Sequence, residues 1–408
     1  MVYFRNRKFF CGFQSSILTN SYIYDKISNI LDDTRHRRRK MKKFLLFMLI
    51  IALVSGTGLF AGGKAEVKEE AKEPAEKAEP EKPQPKLLKY GHANVPIYFY
   101  HTAGEAFAEC LNKSTDGQLE LKIYPQGQLG GERDITEGLQ LGSVDFQATS
   151  IGVTGTFIPA LRILNLPFLF KGPKHWMAVM DGPVGQEILG KSREQGEKVG
   201  LIVLAIAAPD FRIPMNDVRP LRSIEDFKGL KFRTMEVPLH MKAYEAIGAK
   251  PVPLPFGELY TALQTGVVDG NENGPLTLYG QKFHEVQKYL TLLPVVSNGG
   301  IFLMSATIWD KLPKDHQLAV SKCVPSWRKK MRNDALEKGG WAIEQMKKEG
   351  LKEVNRIEDI TPFIEATKSV YEWFYKDLPA DTADWAKEIV KKIREVGEGI
   401  TEGDWFAK

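Results

Sequence analysis

The chain contains 408 residues, 43% of them hydrophobic, which is enough to fill the cores of two domains of ordinary size. Its net charge is +5, but residues 1–43 hold eleven Lys or Arg against three Asp and carry +8, which leaves −3 for the remainder. Because no basic stripe interleaved with aromatic residues follows, composition and charge exclude a nucleic-acid-binding protein.

An apolar segment near the start has the form of a secretory signal. Met41 and two lysines precede an apolar run at 44–54, and small residues follow up to position 63. This order predicts a signal peptide at 41–61, and we expect residues 1–40 to come from an over-extended gene start. An uncleaved membrane anchor is the alternative, but small and polar residues at 55–58 interrupt the apolar run and favour cleavage.

A charged segment with several prolines follows the signal. Residues 62–86 contain few apolar side chains other than alanine, and prolines occur at positions 74, 80, 83 and 85. Such a segment buries too little apolar surface to fold. We therefore expect the mature chain to begin near Gly62, a disordered linker over 62–86, and a folded body from about Leu87.

Short strand patterns and helical patterns then alternate along the chain. They predict strands at 87–92, 119–124, 144–148, 200–206 and 229–232. They predict helices at 103–114, 132–141, 238–247 and 256–265, and a helical tail from about Pro313 onward. This alternation is typical of an α/β fold with parallel sheets and helical crossovers.

Cysteine is sparse in this chain. Cys11, Cys110 and Cys323 are its three cysteines, and so small a number offers no disulfide framework. We expect packing, rather than cross-links, to hold the mature chain together. Cys110 lies in an apolar helical pattern, so it is interpreted as a buried, inert thiol, and Cys323 in the same way.

Most signatures of enzymes and of metal sites are missing. His284 and Glu285 begin like a zinc-protease helix, but Lys288 stands where the second histidine is needed. The chain has no nucleophile elbow, phosphate-binding loop or paired-cysteine motif, and its histidines are scattered. The sequence therefore predicts no metal, no cofactor and no catalytic residues.

Two arginines occupy positions where a ligand could bind. Arg212 follows the strand predicted at 200–206, where the chain is expected to cross between domains, and Arg233 ends the strand predicted at 229–232. The ends of strands in open α/β sheets are common ligand sites. A guanidinium there can grip a carboxylate with two parallel hydrogen bonds, although an ordinary surface arginine is the alternative for each.

A polar, turn-rich stretch at 269–275 follows the helix predicted at 256–265. Turn chemistry explains much of its composition. Its Asn273 could also offer a donor and an acceptor to a hydroxyl or a carboxylate.

Several motifs together resemble one family, the DctP-type substrate-binding proteins of TRAP (tripartite ATP-independent periplasmic) transporters. The similarity covers roughly residues 87–395. The motifs that carry it are Tyr124 to Arg133, Leu139 to Asp145, Leu230 to Arg233, Gly248 to Gly270, and Gln281 to Val286.

The resemblance implies a two-lobed periplasmic-binding fold with a central cleft, which closes around an organic acid and docks on a sodium-driven permease. It implies that Arg233 pairs with the ligand carboxylate, that Arg212 is a second pocket arginine, that Asn273 supports binding, and that Phe256 lines the cleft. Some sialic-acid binders of the family carry a glutamate where Ser150 falls here, which argues against sialic acid as the ligand.

We therefore expect a periplasmic, monomeric α/β protein with two lobes. Lobe I would hold 87–209 and 299–338, and lobe II would hold 210–298 and 339–408, including C-terminal helices that span both lobes. The alternative is a secreted enzyme acting on small acids, in which Arg233 orients the substrate and Glu258 or Asp269 is the base. A receptor that only reports its ligand to a sensor is a third possibility. Dicarboxylates, 2-oxo acids, sugar acids and some amino acids remain open as ligands.

Overall fold

The computed structural model describes residues 85–207 and 209–403. The predicted gene-start extension and signal peptide lie outside these ranges, as does the predicted linker apart from its last two residues. Of those two, Pro85 is exposed and Lys86 begins the first strand, one residue before the expected start of the folded body. No helix within the described ranges has the length and apolar character needed to cross a membrane.

The described strands are β1 (Lys86–Gly91), β2 (Leu119–Tyr124), β3 (Phe146–Ser150), β4 (Leu201–Ala207), β5 (Phe211–Asn216), β6 (Lys231–Thr234), β7 (Lys250–Pro253), β8 (Gly270–Asn273), β9 (Tyr289–Leu292), β10 (Val296–Ser297), β11 (Gly300–Ser305) and β12 (Glu353–Arg356). All five predicted strands are present within a few residues of their expected ends. The last strand interrupts the tail, which was predicted to be helical throughout.

The described α-helices are α1 (Phe99–Ser114), α2 (Glu132–Leu141), α3 (Ile151–Thr154), α4 (Pro173–Asp181), α5 (Pro183–Lys198), α6 (Pro238–Ala246), α7 (Leu259–Gln264), α8 (Pro275–Gly280), α9 (Ala306–Trp309), α10 (Lys314–Lys348), α11 (Thr361–Asp377) and α12 (Ala380–Gly397). Short 3₁₀ helices cover Pro159–Asn165, Ile224–Phe227, Phe256–Glu258 and Phe283–Glu285.

The strands form two mixed sheets, which confirms the α/β class. The first has the order β2-β1-β3-β11-β4, and the second has the order β12-β9-β5-β8-β6-β7 with β10 paired to β5. The prediction of parallel sheets is wrong in part. In the first sheet β11 runs antiparallel to β3 and β4, and in the second β5 runs antiparallel to β8, β9 and β10.

These antiparallel strands follow from the path of the chain. The chain leaves the first sheet at Ala207 and enters the second at Phe211, and it returns between Ser297 and Gly300. A strand that returns from the second sheet enters the first sheet at the end where β4 left it, and so runs antiparallel to β4. An antiparallel pair of this kind does not need the helical crossover that a parallel pair requires. The backbone amide of Asn298 donates to the carbonyl of Asp210 at 2.7 Å, so the two connections are joined directly.

The long helix α10 packs against α1, β4 and α8. Its Trp327 is fully buried against Phe302, and its Nε1 donates to the Tyr90 hydroxyl at 3.0 Å. This helix therefore connects the core beside the first sheet to elements near the second.

The prediction that the chain has no cross-link is wrong. Cys110 and Cys323 form a disulfide with their Cα atoms 5.6 Å apart, across a sequence separation of 213 residues. It joins α1 to α10, and Cys323 is fully buried in the core. Sequence spacing gave no sign of the pair because the bridge depends on how the two helices pack.

Candidate functional site

A cavity of about 250 Å³ lies where strand ends of both sheets meet. Ser150 ends β3, Arg233 lies near the end of β6, Asn273 ends β8, and Asn298 follows β10. Strand ends of this kind are where open α/β sheets bind ligands. The structure brings all four predicted site residues into the lining of this cavity: Arg212, Arg233, Phe256 and Asn273.

Arg233 is a buried cation with spare donors. Its side chain donates from Nε and Nη2 to the Leu254 carbonyl, at 3.0 and 2.7 Å. Its Nη1 is buried with no hydrogen-bond partner, and no carboxylate in the described chain forms an ion pair with the guanidinium. Burial, with a further contribution from Arg212, lowers the pKa of Arg233 to about 10, so it stays charged at neutral pH. The Phe256 ring lies 5.8 Å from the guanidinium, within the range of a cation–π contact.

Arg212 is also buried, but its charge is already neutralised. Its guanidinium forms an ion pair with the fully buried Glu272, in which Nη2 donates to Oε1 at 3.2 Å and Nε donates to Oε2. Burial opposes the charge on Glu272, but Arg212 and His240 outweigh it and lower its pKa to about 2. Glu272 and His240 were not predicted from the sequence.

His240 supports the same ion pair from α6. Its Nδ1 lies 3.4 Å from Glu272 Oε1, and its Nε2 lies 3.3 Å from Asn165 Oδ1. Burial lowers the pKa of this imidazole despite the nearby carboxylate, so it is neutral at pH 7. Glu272 and His240 therefore hold Arg212 in place from behind the cavity wall, and only Arg212 of the three lines the cavity.

Asn273 is oriented by a chain of amides. Its Nδ2 donates to Asn271 Oδ1 at 2.7 Å, Asn271 in turn donates to Gln287, and Gln287 donates to the Met215 carbonyl at 2.8 Å. Because the Asn273 amide nitrogen donates to Asn271, the orientation of the amide is set and its Oδ1 remains as an acceptor for a ligand.

Four acidic residues that the sequence reasoning missed also line the cavity: Glu132, Asp134, Asp210 and Glu236. Asp210 accepts a hydrogen bond from the Tyr98 hydroxyl at 3.0 Å, and burial raises the pKa of its carboxyl group to about 6. Glu132, the first residue of α2, accepts from the Ser150 hydroxyl at 2.7 Å and from the Ser150 amide at 3.0 Å. A carboxylate therefore does lie beside Ser150, although it comes from a different element.

The residues of the enzymatic alternative are not brought together. Neither Glu258, which is exposed, nor Asp269, which accepts from the Lys231 amide at 2.7 Å, lines the cavity. The structure therefore places neither of the two suggested bases beside Arg233. In the described part of the chain, no group of three His, Cys, Asp or Glu residues could hold a metal ion.

Comparisons with known proteins agree on one family. The family described as bacterial extracellular solute-binding protein, family 7 (DctP) matches residues 90–377. A solute-binding protein of Verminephrobacter eiseniae is 36% identical over 274 residues, which cover 67% of this chain and 80% of that protein.

Solved structures of TRAP periplasmic solute-binding proteins superpose on the chain. The protein from Bordetella bronchispeptica, with density interpreted as pantoate, is 33% identical, has a TM-score of 0.70, and is matched over 76% of this chain and 99% of its own. The protein from Sulfitobacter sp. NAS-14.1, with bound β-D-galacturonate, is 29% identical and has the same TM-score and the same coverage.

Proposed function

Because the chain belongs to family 7 of the extracellular solute-binding proteins, the DctP family of TRAP transporters, we propose that it captures a small carboxylate and delivers it to a sodium-driven permease. One observation supports the carboxylate most directly. Arg233 is buried in the cavity with an unused donor and no acidic partner in the described chain. Removing a charge from water without a partner is costly, so this position is suited to an anionic ligand.

The residues around Arg233 suggest how the ligand is held. We assign the carboxylate to the Nη1 side of Arg233, with the Phe256 ring beside the guanidinium and Asn273 Oδ1 accepting from a ligand donor. Arg212 contributes mainly as a positioned donor, because Glu272 balances its charge. Closure of the two lobes would exclude water and strengthen the ion pair. The ligand would then favour the closed form, which the permease recognises.

The two-lobed fold sets where closure would occur. We propose lobe I at 87–209 and 299–338, and lobe II at 210–298 and 339–408 with helices that span both. Apart from Lys86, the first sheet falls within the first set of residues, and the second sheet falls within the other set. The helix α12 packs against α4 and α5 of the first set, and α11 packs against α6 of the second, which supports C-terminal helices that together contact both lobes.

Size and relatives both point to a small acid. A cavity of about 250 Å³ is below the roughly 300–1,000 Å³ typical of pockets for drug-sized ligands. Pantoate and β-D-galacturonate, seen in the two related structures, each carry one carboxylate. We propose that this chain binds an acid of similar size, without catalysis, as a monomer.

Family members are periplasmic, and we propose the same destination for this chain through the signal beginning at Met41. The disulfide supports this location, because structural disulfides persist in oxidising compartments.

The test is calorimetric titration of wild type, Arg233→Lys and Arg233→Ala with D-galacturonate and with pantoate. Removing one member of a buried charge pair costs about 2–5 kcal/mol, so Arg233→Ala should weaken binding roughly thirtyfold or more. Lysine keeps the charge but not the rigid planar donors, so Arg233→Lys should recover only part of the loss.

Arg219→Lys is the matched control. Arg219 also donates to backbone carbonyls, those of Asp226 and Lys228, but it does not line the cavity. Its replacement should leave binding unchanged. If Arg233→Lys binds within about threefold of wild type, the proposed role of the guanidinium is wrong. If neither acid binds to wild type, native mass spectrometry of protein from its source should still show a co-purified organic acid, and its absence would count against the proposed function.

A further inference from the structure

A second cavity lies beside the connection between the two sheets. It is a largely apolar groove of about 330 Å³, and Pro209, Asp210 and Phe211 of that connection line it. Asp210 also lines the cavity that contains Arg233, so one residue borders both spaces. An apolar cavity of about 150 Å³ is large enough to hold benzene, so the groove has room for an aromatic side chain.

The groove is bounded by both proposed lobes. Pro173 and Met177 of α4 line it from lobe I, and Pro275 and Leu276 of α8 line it from lobe II. Leu336 of α10 also lines the groove and is 37% exposed. An apolar groove with an accessible large side chain is typical of a surface that binds a further apolar group.

The last described residues of the chain lie at this groove. Glu402 and Gly403 both line it. The Glu402 carboxylate accepts hydrogen bonds from the backbone amides of Lys174 and His175, at 3.2 and 2.7 Å, in the first turn of α4. The Lys174 ammonium group donates to the Thr401 carbonyl at 3.3 Å. These contacts fix residues 401–403 against one wall of the groove.

Two aromatic residues follow within three positions. Asp404, Trp405 and Phe406 come directly after Gly403. An extended chain advances at most about 3.6 Å per residue, so the Cα atom of Phe406 lies within about 11 Å of that of Gly403. A Trp or Phe side chain buries about 150–250 Å² when it packs against apolar neighbours. The anchored end therefore brings two large apolar side chains within reach of an apolar groove.

We propose that residues 404–408 occupy this groove, with Trp405 and Phe406 packed between α4, α8 and α10. The short tether favours this occupant over a second copy of the chain or another protein, because linking two groups by a short segment raises their effective concentration to the millimolar range. In this position the segment contacts both proposed lobes and restrains the connection that carries Asp210. It acts as a strap across the hinge, separate from ligand recognition by Arg233.

A thermodynamic cycle tests the contact in protein that begins at residue 62 and keeps its disulfide. The combined change Trp405→Ala and Phe406→Ala should lower the melting temperature by about 2–5 °C, because two packed aromatic side chains are lost. Leu336→Ala should lower the melting temperature by a smaller amount. The variant with all three changes should melt at least about 1 °C above the temperature that addition of the separate shifts gives, since residues in contact are energetically coupled.

Leu318→Ala is the matched control for Leu336→Ala. Leu318 lies on the same helix, is 52% exposed and does not line the groove. Its shift in melting temperature should simply add to that of the aromatic variant, because distant sites contribute independently.

Tryptophan fluorescence tests the position of Trp405 directly. The chain has seven tryptophans, and the difference between wild type and Trp405→Phe isolates the emission of Trp405. In the groove this emission should be quenched by acrylamide at least about threefold less than that of free tryptophan, because close-packed neighbours exclude the quencher. Leu336→Asp places a charge in the groove and should remove this protection.

Each result supports or overturns the inference. Additive melting shifts at Leu336, or a Trp405 emission quenched as strongly as free tryptophan, would show that the segment does not occupy the groove. A dimer in sedimentation that Leu336→Asp converts to a monomer would assign the groove to a second copy instead. The fluorescence comparison still decides if the aromatic variant does not fold. None of these measurements uses a ligand, so they do not depend on the proposed function.

Discussion

The disulfide between Cys110 and Cys323 should contribute measurably to the stability of the folded body. It joins residues 213 positions apart, and the loss of chain entropy on closing a loop of that length corresponds to about 5 kcal/mol at 25 °C. Native disulfides usually contribute about 2–4 kcal/mol, so reduction should lower the free energy of unfolding by about 2–5 kcal/mol. For a folded body of roughly 320 residues this corresponds to a melting temperature about 3–8 °C lower.

Thermal melts and urea titrations of protein beginning at residue 62, with and without reductant, measure this difference. The variant Cys110→Ser should match the reduced protein, because Cys110 is partly exposed and its hydroxyl replacement adds little burial cost. Ser114→Ala is the control, since Ser114 lies one helical turn away and contacts the same sulfur atoms. Two titratable thiols in denatured, unreduced protein, or superposable melts in both conditions, would refute the reasoning.

Further changes test other parts of the site and the leader. Glu272→Ala should lower the free energy of unfolding by about 3–5 kcal/mol in urea titrations, because it leaves the Arg212 charge buried and unpaired. The raised pKa of Asp210 means that its protonated form favours the folded state, and that this advantage is lost as pH rises from about 4 through about 6. In urea titrations at pH 7, the free energy of unfolding of Asp210→Asn should therefore exceed that of wild type by on the order of 3 kcal/mol. This difference should disappear by pH 4. Gly274→Ala should weaken ligand binding at least tenfold in calorimetry, because its methyl group would meet the Asp210 carboxylate. N-terminal sequencing of exported protein should find a start near Gly62, and a retained apolar segment at 44–54 would indicate an anchored protein.

The sequence predicted the elements of the fold better than their pairing. Hydrophobic periodicity located β1, β2 and α2 to within a residue or two, because each buries one face with a regular repeat. It did not locate β11, and the fully buried apolar run of that strand fits a parallel or an antiparallel neighbour equally. The direction of β11 depends on where the chain returns from the second sheet, and local composition does not determine this path.

The candidate site was likewise predicted in part. Arg233 was found because it ends a strand, and its place in the cavity agrees with that reasoning. Glu272 was missed because it lies in the polar stretch at 269–275, which turn chemistry explains equally well. Asp210 was missed because it is a single acidic residue between apolar segments and belongs to no motif. Their environment is created by tertiary packing, such as the contact of Gly274 with Asp210. The spacing of residues in the sequence does not indicate such a contact.

The hydrogen bond between the two connections of the sheets has a consequence for transport. Asp210 lies in one connection and Asn298 in the other, and both side chains line the cavity. A ligand that contacts Asp210 therefore acts close to the axis about which the lobes would rotate. A small displacement of the backbone at these connections would move the far ends of the two lobes by a larger distance. Two acids of equal affinity could hold the lobes at different angles and so present different surfaces to the permease. We expect the order of transport rates among acids to differ from the order of their dissociation constants, with the acid that best fits the space between Asp210 and Asn298 transported fastest.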